Sequence, residues 1–593
     1  MSPLTPMFRG IRLLTPEPAP PVKCPVRAAK SSIWSVAMAE ISGAQLVIDS
    51  LRREGVDTIY VLPGDPVGDI VNGWASAGHK AIAVRHEQVA CMAAQAHSYL
   101  TRSVGVCIAA SGVGQTNTLT GIANAYSNCW PLLVIGGSAE LRRRNMGDFQ
   151  ELPQVETTAP ICKWTATVDS ISRIPTLINV AMKQAMSGRP GPVYIDLPAE
   201  MISGLVDEAN VPIPQPAPEP ARPLADPQEI KKALEVLAEA ERPLLIVGKG
   251  AAWSWAEDEL LQFVDRTQIP FLTSPMGMGM LPPEHPMNVS AARTQALKGA
   301  DTILMVGARF NWLFHFGQPP RFAPDFKLVQ IDIEGTEIGT NVPATVGLVG
   351  DAKMVIGQMV SALDDVPVSY GESAWLSELN AKSTENAESI EPMLNSDASS
   401  IGYYRILKEI RDYLPKDAII VADGASTMDI SRQVVPVWYP RHRLDAGVAG
   451  CVGTGVPFAI ASQVVHPDKP VICLQGDWAF GFNGMDIETA ARFKLPIVWV
   501  IFQNANIDKW VRTHVDKEED PNDFTPNLRF DVMMEALGGH GEFVQGPEEI
   551  RPALERAFSS GKASVVNVIM DPGAGRRQQQ FAWLAREGRM GYS

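Results

Sequence analysis

Gly476-Asp477-Trp478-Ala479-Phe480-Gly481-Phe482-Asn483 and, after an apolar-rich run, Gln503-Asn504-Ala505-Asn506 decide how this chain is read. Residues 471–474 form a short buried-strand pattern that ends at a glycine turn, and residues 495–502 form a second. A helix-length segment, 485–493, lies between them. Such a β-α-β unit brings both strand ends to one edge of a parallel sheet, where ligands bind in doubly wound folds. Asp477 would end the first strand and Asn504 the second. A carboxylate, an amide oxygen and a backbone carbonyl near Asn506 are hard oxygen donors, the set that suits Mg²⁺ carrying a diphosphate. Gly-Asp turns are common, so taken alone the motif reads equally well as an ordinary strand-to-helix turn followed by a loop.

With 593 residues the chain is too long for one core and suits roughly three domains. A formal charge of −15 and no basic stripe within the body of the chain argue against nucleic acid or an acidic membrane as partner. No run of about 18 apolar residues suggests a membrane span. The seven cysteines lack Cys-x-x-Cys or metal-ligand spacing and read as reduced thiols of an intracellular protein. Residues 1–37 are basic and proline-rich. They form either an unstructured extension or a mitochondrial-type presequence, though the prolines between 16 and 25 would break its helix. The expected compartment is the cytoplasm, or the mitochondrion if that segment is a presequence.

Strand and helix patterns alternate through residues 38–205, with strands at 58–62, 104–109, 132–135 and 193–195 and a helix at 87–99. A Pro-rich linker, 206–226, leads to a second α/β block, 227–366, with strands near 244–247, 302–306 and 328–333. A polar linker, 367–400, precedes a third block, 401–572, and a tail, 573–593. The expected fold class is α/β, with three doubly wound parallel sheets.

The segment 476–508 resembles the diphosphate motif of thiamine-diphosphate (ThDP) enzymes, with Gln503-Asn504 in place of the usual Asn pair. Arg85-His86-Glu87-Gln88, at a strand-to-helix junction, resembles that family's activating segment. A buried Glu with raised proton affinity can drive the cofactor tautomer that loses its C2 proton. On its residue type alone Glu87 merely favours a helix N-terminus. The resemblance implies a pyrimidine-binding, a central and a diphosphate-binding domain. It further implies active sites between two chains, and so a homodimer or homotetramer. The implied catalytic residues are Glu87, Gln115 and Asp508. Cofactor contacts are implied for Gly64, Glu87, Asn117, Gly424, Ser426, Gly450, Val452, Gly476, Asp477, Trp478, Ala479, Asn504, Asn506 and Ile507, with Asp477, Asn504 and Asn506 holding Mg²⁺.

Within the superfamily, residues 147–156, 307–321 and 424–429 look like 2-hydroxyacyl-CoA lyase. Phe149 and His315-Phe316-Gly317 fit it better than oxalyl-CoA decarboxylase. The implied reaction cleaves a 2-hydroxyacyl-CoA to formyl-CoA and an aldehyde, or joins them. Glu87 promotes the C2 carbanion and the thiazolium acts as electron sink. Lys249, Arg309 and Asp332 match a surface that takes ADP or CoA, or else form an ordinary ion-pair set. Arg576 opens a segment resembling one that closes over the thioester. Several pocket positions depart from the lyase: Asp65, Val113, Gln115, Ala449, Val452, Trp478 and Asp508. Trp478 gained beside an aromatic lost at Ala449 suggests a volume exchange. Two added carboxylates disfavour an anionic substrate carboxylate. Three functions follow: a lyase or carboligase, a decarboxylase of a 2-oxo acid or its thioester, and a scaffold without catalysis.

Overall fold

A computed structural model describes residues 39–371, 373–507 and 522–577. Three parallel sheets carry the fold. The first has the strand order Lys80–Ala83, Thr58–Val61, Gly105–Ala109, Leu132–Ser138, Pro192–Pro198, Trp164–Thr167. The third has Arg443–Leu444, Ile419–Asp423, Val471–Gly476, Val498–Gln503, Ser564–Ile569, His540–Val544. Numbered within each sheet, both run 2-1-3-4-6-5, so the same topology is built twice. Between them in sequence lies a sheet of five strands: Phe271–Thr273, Pro243–Val247, Thr302–Val306, Lys327–Asp332 and Val346–Val349. The inner strands are apolar and buried throughout, as expected of parallel sheets covered on both faces.

Small residues let the layers approach. Helix Glu87–Thr101 is almost wholly buried through Ala90, Ala93, Ala94 and Ala96. A Cβ at Gly105 would stand 1.9 Å from the carbonyl oxygen of Ala94, so only glycine lets this helix lie on its strand. The helix's other side packs on helix Gly455–Val465 of the third sheet's layer. Trp130 stacks on Tyr99 at 4.8 Å and meets Phe458 at 5.6 Å, tying both layers into one core.

The structure differs from expectation in three places. The helix after the glycine turn begins at Asp477, not near residue 485, and runs as Asp477–Asn483, a 3₁₀ turn and Ile487–Arg492. The segment read as a polar linker, 367–400, contains a 21-residue helix, Ala374–Leu394. Ser373 caps it, and Trp375, Leu376 and Leu379 bury one face, with Trp375 Nε1 donating to the carbonyl of Pro243 at 3.0 Å. The Pro-rich linker starts as a strand, Leu205–Asp207, paired antiparallel with Glu40–Ser42. Among the described residues no helix is long and apolar enough to cross a membrane, and the described cysteines are unbridged. Residues 1–37 lie outside the described residues.

Candidate active site

In both six-stranded sheets the strand order reverses between strands 1 and 3, and the crevice at their carboxyl ends is the natural ligand position. In the third sheet this edge carries Asp477, whose side chain is 4% exposed. Oδ1 accepts from the Trp478 backbone N–H at 2.8 Å and Oδ2 from that of Ala505 at 2.7 Å. Burial pushes the carboxyl up to about 6 despite these donors. One atom of the Asn504 amide lies 3.3 Å from Asp477 Oδ1 and 3.2 Å from the carbonyl oxygen of Asn506. If that atom is nitrogen, the amide donates to both. If it is oxygen, three oxygens converge with no proton between them, and a hard cation satisfies all three. The carboxylate, amide and carbonyl expected from the sequence are therefore brought together in a form that fits a divalent cation.

Around this set, Gly424 has φ +91°, and a Cβ there would lie 3.4 Å from the Gly476 nitrogen and 3.6 Å from Ala479 Cβ. The crevice floor is thus bare backbone. Ser426 and Thr427 reach the hydroxyl of Tyr403, which stacks on Phe502 at 5.5 Å. Gly450, in the left-handed region, leads into half-buried Val452. The Ile507 N–H donates to the Asn522 carbonyl at 2.9 Å. Trp478 meets Phe482 edge-on at 5.8 Å. The indole at the 447–450 turn is instead Trp312, whose Nε1 donates to the Val448 carbonyl at 2.9 Å. Asp508 lies outside the described residues.

The matching crevice of the first sheet holds Gly64, where a Cβ would be 2.8 Å from Ala110 Cβ, and faces the turn 111–117. Glu87, buried, opens its helix with His86 as N-cap. Its Oε2 accepts from Asn117 Nδ2 at 3.0 Å, and a Cβ at Gly114 would be 3.3 Å from Oε1. Gln115 is turned away: its amide nitrogen donates to Thr158 Oγ1 inside the sheet layer. A feature the sequence did not reveal supports the turn from behind. Gln154 Oε1 accepts from the Gly112 N–H at 2.6 Å, while its nitrogen donates to the Gly137 carbonyl, Tyr194 and buried Asp196.

Within one chain, the Arg85 N–H donates to Asp486 at 2.8 Å and Gln88 Nε2 donates to Asn483 Oδ1 at 3.3 Å. The Glu87 turn therefore sits at the end of helix Asp477–Asn483 opposite to Asp477. Exposed Val113, Phe482 and Met485 lie in these same segments.

In the central sheet, Lys249 donates to Asn128 Oδ1 at 2.9 Å and lies 5.2 Å from the Trp130 ring centroid, and desolvation lowers it to about 7. Arg309 donates to the Ser127 carbonyl at 2.9 Å and pairs with Glu337 at 3.4 Å. Asp332, pushed up to about 6 by burial, accepts from the Glu334 N–H at 2.9 Å and faces Arg189 at 3.9 Å. Three of the four predicted nucleotide residues thus have these partners from the chain itself.

The fourth, Arg576, belongs to a group of cations whose other members were not foreseen. Arg432 and Arg576 both pair with Asp429, and the field of this group reaches half-buried Arg293 and buried Arg321. Desolvation, with Arg432 and Arg321 nearby, lowers Arg293 to about 9. His315, between Arg321 and Arg293, is lowered to about 4, mainly by burial. Two guanidinium groups thus pair with Asp429 directly, and two more lie within its electrostatic reach.

Three family models match the chain, one in each sheet's block. They are the thiamine pyrophosphate enzyme N-terminal TPP binding domain over residues 41–157, the central domain over 230–359 and the C-terminal TPP binding domain over 423–568. The human 2-hydroxyacyl-CoA lyase 1 is 40% identical over 563 residues, covering 92% of this chain and 97% of its own. The lyase of Arabidopsis thaliana is 38% identical, covering 90% and 96%. Oxalyl-CoA decarboxylase of Escherichia coli is 36% identical over 542 residues, covering 90% and 95%. With a duplicated doubly wound fold, an oxygen cage at one crevice and a buried glutamate at the other, the chain belongs to the thiamine pyrophosphate (ThDP) enzyme family.

Proposed function

We propose that this protein is a ThDP- and Mg²⁺-dependent carbon–carbon lyase or carboligase acting on acyl-CoA, interconverting a 2-hydroxyacyl-CoA with formyl-CoA and an aldehyde. The observation that carries the CoA reading is the arginine cluster. Guanidinium groups recognise phosphate oxygens in bidentate fashion, and Arg432 and Arg576 pair with Asp429 while Arg293 and Arg321 lie within the field of the same group. Four guanidinium groups within one another's field suit a polyphosphorylated handle. Lys249, Arg309 and Asp332 are less suited to it, because Asn128, Ser127 and Glu337 already engage them.

Asp477, Asn504 and the Asn506 carbonyl would hold Mg²⁺ with the diphosphate. Bound, the cofactor supplies a stabilised carbanion and an electron sink. Glu87 holds and returns a proton at its carboxylate, with Oε2 fixed by Asn117 and Oε1 kept clear by the absence of a side chain at Gly114. Because the turn of Glu87 is bound to the wrong end of its own chain's helix Asp477–Asn483, the glutamate serving each metal set is assigned to a second copy, giving at least a homodimer.

The test is incubation of the ThDP- and Mg²⁺-loaded protein with 2-hydroxyacyl-CoA thioesters, formyl-CoA plus aldehydes, oxalyl-CoA and 2-oxo acids. Formyl-CoA formation or consumption that is lost in Glu87→Gln supports the reading. Carbon dioxide release as the main reaction, or turnover unchanged in Glu87→Gln, overturns it.

A further inference from the structure

Gly453, in the turn that carries Val452, is gripped from both sides by buried side chains that have no part in the chemistry above. Its φ is +91°, and a Cβ would stand 2.7 Å from Phe482 Cβ. Its N–H donates to Asp423 Oδ2 at 3.0 Å, and its carbonyl accepts from Asn483 Nδ2 at 2.6 Å.

Asp423 has no exposed surface and takes three further donors. These are the Gly424 N–H at 2.8 Å, the Gly455 N–H at 2.9 Å and Gln475 Nε2 at 3.0 Å. The donors come from separate parts of the crevice. Gly424 starts helix Ala425–Val434, Gly453 and Gly455 bracket Thr454 after Val452, and Gln475 precedes Gly476. Asn483 closes the helix that Asp477 opens and accepts, on its other atom, from Gln88, the neighbour of Glu87.

We infer that Asp423 and Asn483 are a positioning pair that clamps Gly453 and so sets the Val452 turn in register with the diphosphate cradle. An ionised carboxylate offers acceptor sites only and can take all four donors, whereas an amide in its place turns two protons of its own toward N–H groups. Asn483 supplies the complementary donor to the only group of Gly453 that Asp423 cannot hold. Neither side chain belongs to the metal set or replaces Glu87, so the pair acts through the turn. The inference rests on the assignment of this crevice to ThDP.

The experiment titrates ThDP into the full-length apoprotein at saturating Mg²⁺ by calorimetry, for wild type, Asp423→Asn, Asn483→Ala and Asn483→Asp. A role confined to folding lowers the apo thermal midpoint and leaves the ThDP Kd unchanged. The clamp instead raises Kd about tenfold or more in each variant, corresponding to about 1.4 kcal/mol, and leaves KM for the acyl-CoA within about twofold once ThDP is saturating. Asn483→Asp keeps the shape but loses the donor, so it must behave like Asn483→Ala. If Asp423→Asn does not fold, the Asn483 pair decides. A ThDP Kd within about twofold of wild type in the folded Asn483 variants overturns the clamp. Failure of the wild type itself to bind ThDP overturns the crevice assignment and the clamp with it.

Discussion

Asp477→Asn separates a structural carboxylate from one that waits for a cation. Burial raises this carboxyl from 3.8 to about 6, and at about 1.4 kcal/mol per pH unit, ionisation near neutrality costs the apoprotein about 3 kcal/mol. The sign follows from proton binding. Below 3.8 the group is protonated in both states. Between 3.8 and about 6 the native state keeps a proton that the unfolded chain has released, so this group's contribution to apo stability falls as pH rises through the window and then levels. Asparagine removes that cost. It also leaves one of the Trp478 and Ala505 N–H groups without an acceptor, which costs about 1–3 kcal/mol. The expected net is an apoprotein as stable as wild type or more so. Metal and ThDP must do the reverse, since the cation needs the ionised acid. At a hundred times Kd they stabilise wild type by about 2.7 kcal/mol, and the variant should lose most of that. Thermal unfolding of chelated and loaded protein reads both, and the ligand-induced rise in wild type should grow between pH 5 and 7.5. A variant that keeps the full ligand-induced rise, or whose apo form melts far below wild type, refutes the assignment.

Glu87→Gln should lower turnover by at least about a hundredfold, the usual worth of a positioned acid–base group, while calorimetry finds ThDP affinity little changed. Arg293→Ala, which removes a charge-assisted contact worth about 1.5–3 kcal/mol, should raise KM for acyl-CoA roughly tenfold or more. The KM for the corresponding pantetheine thioester should stay unchanged, and equal losses for both thioesters would disprove the phosphate role. Trp375→Ala empties the anchor of helix Ala374–Leu394 and should destabilise by about 3–5 kcal/mol. The thermal midpoint should fall and cleavage within that helix should speed up, with ThDP affinity intact.

The parallel sheets were legible because strands covered on both faces must be apolar runs; residues 302–306 were read to the residue. Trp164–Thr167 and Arg443–Leu444 escaped because they are short or partly exposed, so periodicity had too few buried positions to register. Helix Ala374–Leu394 was hidden by its polar majority, although Trp375, Leu376 and Leu379 fix its docking. The oxygen cage was legible because its ligands fall in one β-α-β unit. Of the arginine cluster only Arg576 was read, since residues 293, 321 and 432 join it only when the central and third blocks pack. Asp423 was invisible for a related reason: nothing in Ala422-Asp423-Gly424 tells that its carboxylate takes donors from residues 453, 455 and 475.

The duplicated topology makes one last prediction decisive. Two crevices of the same construction carry complementary chemistry, a glutamate at Glu87 and an oxygen cage at Asp477. A single cofactor must touch both, so they have to face one another. In one chain the glutamate's turn is bound to the far end of the cage's own helix. Gln88 is bound to Asn483, a helix of six residue steps, about 9 Å of rise, from Asp477. If the missing partner is a second copy, Glu87→Gln and Asp477→Asn damage different halves of each site, and a mixed dimer retains one site built from the two undamaged halves. Co-refolding or co-expressing the two inactive variants should then restore roughly a quarter of wild-type activity, because about half the dimers are mixed and each has one of two sites intact. Sites built within one chain would be broken in every combination, so a mixture as inactive as its components would place Glu87 and Asp477 in the same subunit and remove the case for a shared interface.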